Sequence, residues 1–92
     1  MTTADRTLEI QNEKGLHARA SAKFVETVER FEAQAFVSKD GMSVSGDSIM
    51  GLLMLAAAKG STIDVRTSGA ADADQLMEAI TALINDKFGE GK

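Results

Sequence analysis

The chain has a single histidine, His17, and no cysteine, tryptophan or tyrosine. Its nucleophilic chemistry is therefore concentrated on one imidazole. That ring stands in the stretch "GLHARA", Gly15 to Ala20, where an alternating, strand-like run gives way to a helical one. Gly15 lets the chain turn sharply before the ring. A helix predicted to begin at about Ala18 points its unpaired amides and the positive end of its dipole back at the imidazole. Arg19 adds a planar cation two residues on. Together these make an anion site around a nucleophilic nitrogen. No serine stands beside His17 as a nucleophile, and no carboxylate is evidently placed to make it a general base. The chemistry that fits is covalent: the imidazole accepts a phosphoryl group, and the helix amides with Arg19 hold the dianion.

Composition sets the scale of what must position that ring. Ninety-two residues are read as one small domain, 1–92, able to bury only about 60% of the surface its unfolded chain exposes. The core must be thin, one layer of helices on one sheet. A net charge of -4 disfavours nucleic acid, which needs a basic field to offset its phosphates. Without cysteine there is neither a disulfide framework nor a thiolate metal site, and one histidine does not make a histidine-rich one. Neither metal nor cofactor is expected. The opening "MTTADRTLEI" has no apolar core after a basic segment, so no secretory signal is read. The longest apolar run, Ile49 to Ala58, is about half of what a membrane span needs. The expected protein is a cytoplasmic monomer without membrane insertion.

The elements follow from periodicity. "RTLEIQN" alternates, with Leu8 and Ile10 on one face, and predicts a half-buried strand. From Ala18 to Phe31 the apolar positions Ala22, Val25, Val28 and Phe31 recur at helical spacing. "AQAFVS" and "MSVS" flank "KDG", whose Asp-Gly pair suits a two-residue hairpin turn. "DSIMGLLMLAAAKG" predicts a second helix, capped by Ser48 or Asp47, with Lys59 in its last turn and Gly60 as its left-handed stop. "TIDVRTS" alternates again, Ile63 and Val65 inward. Leu76, Ile80, Leu83 and Ile84 then mark the face of a last helix. The order βαββαβα predicts an α+β open-faced β-sandwich, a four-stranded antiparallel sheet covered on one face by three helices.

The second helix is too apolar for that role alone. A short helix on a sheet needs one buried stripe, yet Ile49, Met50, Leu52, Leu53, Met54 and Leu55 cannot all point inward. Either the helix is deeply set in the core or the excess forms a partner-docking face, which adaptable methionines at 50 and 54 would suit.

"KGLHARASAKFVE" resembles the active-site segment of the HPr family, histidine phosphocarriers of the bacterial phosphoenolpyruvate-dependent phosphotransferase system. "GDSIMGLLMLAAAKGSTIDV" is similar to the family's second motif, and the likeness spans nearly the whole chain. The resemblance implies that His17 carries phosphate on Nδ1 and that Arg19 is the active-site arginine. It implies a donor, enzyme I or its nitrogen-branch relative, and an enzyme IIA-type acceptor. It makes Ser48 the counterpart of the serine that an HPr kinase/phosphorylase modifies in many bacteria. Ala18, Ala20, Lys23, Ile49, Met50, Leu53 and Met54 fall at or near the surface the partner enzymes share. One departure is Ala20, where the family usually has proline. Proline in a first helical turn fixes φ and gives up an amide that is unpaired anyway, so alanine is expected to loosen the turn slightly.

Two other readings compete. One is a regulatory HPr-like binding module through which no phosphate flows. The other takes "GDSIMGLL" as an acyl carrier motif with pantetheine on Ser48. Carriers of that kind are all-helical, and that reading leaves "GLHARA" without a role.

Overall fold

The computed structural model describes residues 2–69 and 71–92. Its elements are strand β1 (Thr2–Glu9), helix α1 (Ala18–Glu29), strands β2 (Gln34–Lys39) and β3 (Met42–Ser45), helix α2 (Ile49–Met54), strand β4 (Thr62–Gly69), helix α3 (Ala73–Asn85) and a closing 3-10 turn, Lys87–Gly89. The four strands form one antiparallel sheet in the order β1-β4-β2-β3. The expected open-faced sandwich is the fold.

Alternation sets the sheet's two faces. Leu8, Ala35, Val37, Ile63 and Val65 point into the core, while Asp5, Thr7, Phe36, Asp64 and Arg66 are exposed on the other side. Pairing Leu8 with Ile63 and Val37 with Val65 puts the inward residues side by side. The hairpin turn uses Asp40 and Gly41, both at positive φ (51° and 84°), as the Asp-Gly pair predicts. On the covered face α3 packs on β1 and β4, α1 lies between α2 and α3, and α2 reaches β3.

Helix faces differ in detail from the sequence reading. On α1, Val25 and Val28 are buried as expected, but Ala20 and Phe24 are buried completely, whereas Ala22, and Phe31 just beyond the helix end, are only partly covered. A strict three-residue step drifts around a helix of 3.6 residues per turn, and the four-residue stripe 20-24-28 holds the core. On α3, Leu76, Met77, Ile80 and Ile84 are fully enclosed and Leu83 partly.

The larger correction concerns α2, which ends at Met54 instead of running to Lys59. Ala56 takes a left-handed φ of 50°, and the segment after it leaves the helix to pack against the chain ahead of α1. There the Ala57 carbonyl accepts the Leu16 amide at 2.9 Å. Gly60 keeps its left-handed φ of 88°, but as the turn into β4, its amide donating to the Ile10 carbonyl at 2.8 Å.

Candidate functional site

His17 occupies the N-cap of α1, in extended backbone, and its side chain does not bond the helix amides it precedes. The first helical bond runs from the Ser21 amide to the His17 carbonyl at 2.8 Å. The amides of Ala18, Arg19 and Ala20 therefore lie ahead of the ladder, and no acidic side chain occupies this first turn. This is the open helix terminus expected from the sequence, with its dipole unopposed.

Gly15 makes the approach to the ring. It sits at φ +66°, and a Cβ there would lie 2.4 Å from the Ala57 carbonyl oxygen. Both its conformation and its close packing exclude a side chain. The adjacent Leu16 is buried and donates its amide to that same carbonyl. The loop carrying His17 is thus locked to the segment that follows α2.

The ring lies in an open depression of about 460 Å³ lined by Glu13, Lys14, His17, Arg19, Lys23, Gly89, Glu90 and Lys92. Four cationic side chains face two carboxylates there, a locally basic patch on a protein of net charge -4. Arg19 is exposed and, among the described residues, enters no ion pair. Ala18 is exposed, but Ala20 is completely buried. Its methyl faces the core, so of the expected contact residues on this turn Ala20 does not reach a partner, a correction to the sequence reading. Lys23 is half-buried, and its Nζ donates to the Phe88 carbonyl.

The sequence reading placed no carboxylate beside His17, and the fold supplies one. Glu90, 73 residues away, sets Oε2 against the imidazole Nε2. Its Oε1 accepts from Asn12 Nδ2 at 3.0 Å. Partial burial pushes the Glu90 carboxyl up, but hydrogen bonds from Asn12 and His17, with the charges of His17 and Lys14, outweigh that and hold it below its ordinary range. Asn12 is fully buried and its Nδ2 also donates to the Gly15 carbonyl at 2.7 Å.

The tail that delivers Glu90 is anchored by Phe88, fully buried although its backbone φ is 55°. Behind it, the Glu13 amide donates to the Lys92 carbonyl at 3.1 Å. The available signal was Phe88 itself. It falls four residues past Ile84 and continues the buried stripe of α3 beyond the helix end.

Ser48 is the N-cap of α2, its hydroxyl accepting the Gly51 amide. Asp47 instead accepts the Ser45 hydroxyl at 2.6 Å. The α2 surface is split: Leu52 and Leu55 are buried, Leu53 is partly covered, and Ile49, Met50 and Met54 are 40%, 69% and 63% exposed. The excess apolar residues therefore do not serve the core. Among the described residues no cluster of side chains could hold a metal ion, and no helix is long and apolar enough to cross a membrane.

Comparison with known proteins agrees with this geometry. A family model described as "PTS HPr component phosphorylation site" matches residues 4–86. The phosphocarrier protein HPr of Neisseria meningitidis is 52% identical over 87 residues, 95% of this chain and 97% of that protein. The HPr of Cupriavidus necator is 46% identical with the same coverage. Among solved structures, an HPr from Thermoanaerobacter tengcongensis superposes with a TM-score of 0.89 at 39% identity, covering 95% of this chain and 97% of that one. With its sheet order, its open helix end at His17 and these relatives in agreement, the chain belongs to the HPr family, the phosphocarrier proteins of the phosphotransferase system.

Proposed function

We propose that His17 accepts a phosphoryl group on Nδ1 from phosphorylated enzyme I, or from its nitrogen-branch relative, and passes it to an enzyme IIA-type acceptor. The Nδ1 lone pair attacks phosphorus while the bond to the donor breaks, its electron pair returning to the donor. The reverse occurs at the acceptor. Phosphoryl transfer asks little covalent work of the surrounding protein and much positioning and charge neutralisation. The observation that carries the reading is the ring's place at an open helix terminus, beside Arg19 and within a locally basic depression.

In this reading Arg19 grips the transferred group, and Ala18, Lys23, Ile49, Met50, Leu53 and Met54 meet the partner enzymes. Ser48, capping α2 next to that apolar face, is a regulatory phosphorylation site for an HPr kinase/phosphorylase. The protein turns over only with its partners and works in the cytoplasm. In this reading it acts as a monomer. The sheet disfavours an acyl carrier, whose fold is all-helical.

Incubation with phosphoenolpyruvate and each candidate enzyme I tests the proposal. The expected product is an acid-labile phosphate on His17, discharged on addition of an enzyme IIA. Uptake without discharge to any acceptor would favour the purely regulatory module, and a pantetheine adduct on Ser48 would overturn the reading altogether.

A further inference from the structure

We propose that Glu90, clipped in place by Asn12, is the residue that selects Nδ1 over Nε2 as the reactive nitrogen of His17. The inference rests on His17 being a phosphoryl acceptor. A neutral imidazole has one protonated and one nucleophilic nitrogen, and the hydrogen bond at one decides the role of the other. Glu90 Oε2 lies against Nε2. A carboxylate accepts only, so the ring proton is held at Nε2 and the lone pair is left on Nδ1. The carboxylate also covers Nε2 sterically.

The selector is built, not incidental. The second Glu90 oxygen is taken by Asn12 Nδ2, which simultaneously holds the Gly15 carbonyl. Asn12 thereby ties the loop that carries His17 to the tail that carries Glu90. The tail is pinned independently, by the buried Phe88 ring and by Lys23 on the Phe88 carbonyl. Glu90 is a positioning residue in this account, for it acts on the reacting atom through the ring.

Potassium phosphoramidate gives a test that needs no partner enzyme. Nδ1 attacks its phosphorus, the P–N bond breaks, and the electron pair leaves on nitrogen as ammonia. The ring retains its Nε2 proton, so the product is an imidazolium held against Glu90. Phosphorus NMR distinguishes the two phosphohistidine isomers. The wild-type protein is expected to give the Nδ1 isomer, and Glu90→Ala a mixture with the Nε2:Nδ1 ratio raised about tenfold, the scale of one charge-assisted hydrogen bond. Glu90→Gln, which keeps an acceptor but loses the charge, should fall between them. Asn12→Asp removes both clip donors and sets a like charge against Glu90, so it should yield the same mixture by a separate route. A change confined to stability would leave isomer ratios untouched.

A wild-type protein that gives both isomers or none, or a Glu90→Ala protein that still gives Nδ1 alone, overturns the assignment. A wild-type protein modified at Nδ1 by phosphoramidate but ignored by phosphorylated enzyme I supports the selector and overturns the carrier reading. The two failures are thus told apart.

Discussion

The Ser48 hydroxyl accepts the Gly51 amide at 3.0 Å and closes the first turn of α2. That bond separates the two roles this serine can have. As a cap alone it is worth about 1 kcal/mol, so Ser48→Ala should melt about 4–8 °C lower and transfer phosphate normally. Ser48→Asp keeps a capping oxygen and should melt near the wild type. Its charge, set beside exposed Ile49 and Met50, should nonetheless slow acceptance from enzyme I by about tenfold, a cost near 1.4 kcal/mol at the contact. Thermal melts and phosphotransfer assays on both variants check this. Normal transfer by Ser48→Asp would leave Ser48 a cap and nothing more.

Gly15 should be intolerant of even a methyl group. An alanine there meets the Ala57 carbonyl at 2.4 Å and must hold φ near +66°. The left-handed backbone alone costs about 1–2 kcal/mol, before the collision is added. Gly15→Ala should lower the melting temperature by about 10 °C or more and displace His17 along with it. A variant that melts like the wild type would mean the loop is free to move away from Ala57.

Arg19 should matter through its shape as much as its charge. The guanidinium fork can grip two phosphate oxygens, whereas lysine offers a point charge. Arg19→Ala is expected to slow transfer about tenfold or more, and Arg19→Lys to recover part of that loss, since charge-assisted bonds to the anion are on the order of 1.5–3 kcal/mol. Because Arg19 is exposed and outside the ion pairs of the described residues, stability should not change. Wild-type rates in Arg19→Ala would return the residue to the solvated surface.

The sequence made the fold legible wherever local pattern and tertiary demand coincide. Alternation placed Leu8, Ile10, Ile63 and Val65 inward, and Asp40-Gly41 gave the hairpin turn. Legibility failed where distant segments decide. Residues 55–59 keep helix-forming composition, yet the chain spends the Ala57 carbonyl on Leu16 and abandons the helix. The site divides the same way. Gly15, His17 and Arg19 are neighbours in sequence and could be read together. Glu90 is brought to the ring only by the closure of α3 and the burial of Phe88, and no local periodicity marks a carboxylate 73 positions away.

That long-range contact has a pH signature. The Glu90 carboxyl is held below its ordinary value of 4.5, burial being outweighed by its hydrogen bonds to Asn12 and His17 and by the charges of His17 and Lys14. A depressed carboxyl adds stability that is fully present above its unfolded pKa and lost as pH falls through the lower folded value. Melting temperatures should therefore fall on acidification from about pH 4.5 downward, and more steeply for the wild type than for Glu90→Gln. Superimposable profiles for the two proteins would show that the Glu90 contact contributes nothing to folding.

The two sides of α2 should respond oppositely to substitution. Leu52 is completely buried, whereas Met50 and Met54 are 69% and 63% exposed. Leu52→Ala removes packed atoms and leaves a cavity, so it should cost about 2–5 kcal/mol. Its effect on transfer should follow the folded fraction. Surface changes away from such packing stay within about 0.5 kcal/mol, so Met50→Glu with Met54→Glu should leave the melting temperature nearly unchanged. If that face docks partners, the pair of charges must be desolvated against an apolar surface, which raises the concentration of enzyme I needed for half-maximal transfer. An increase of about tenfold or more corresponds to 1.4 kcal/mol or more of lost binding. The rate at saturating donor should change little, since neither methionine touches the reacting ring. Transfer kinetics at several donor concentrations, with melts on the same preparations, separate these outcomes. An unchanged half-saturation in the double variant would mean that enzyme I does not dock on the exposed methionines.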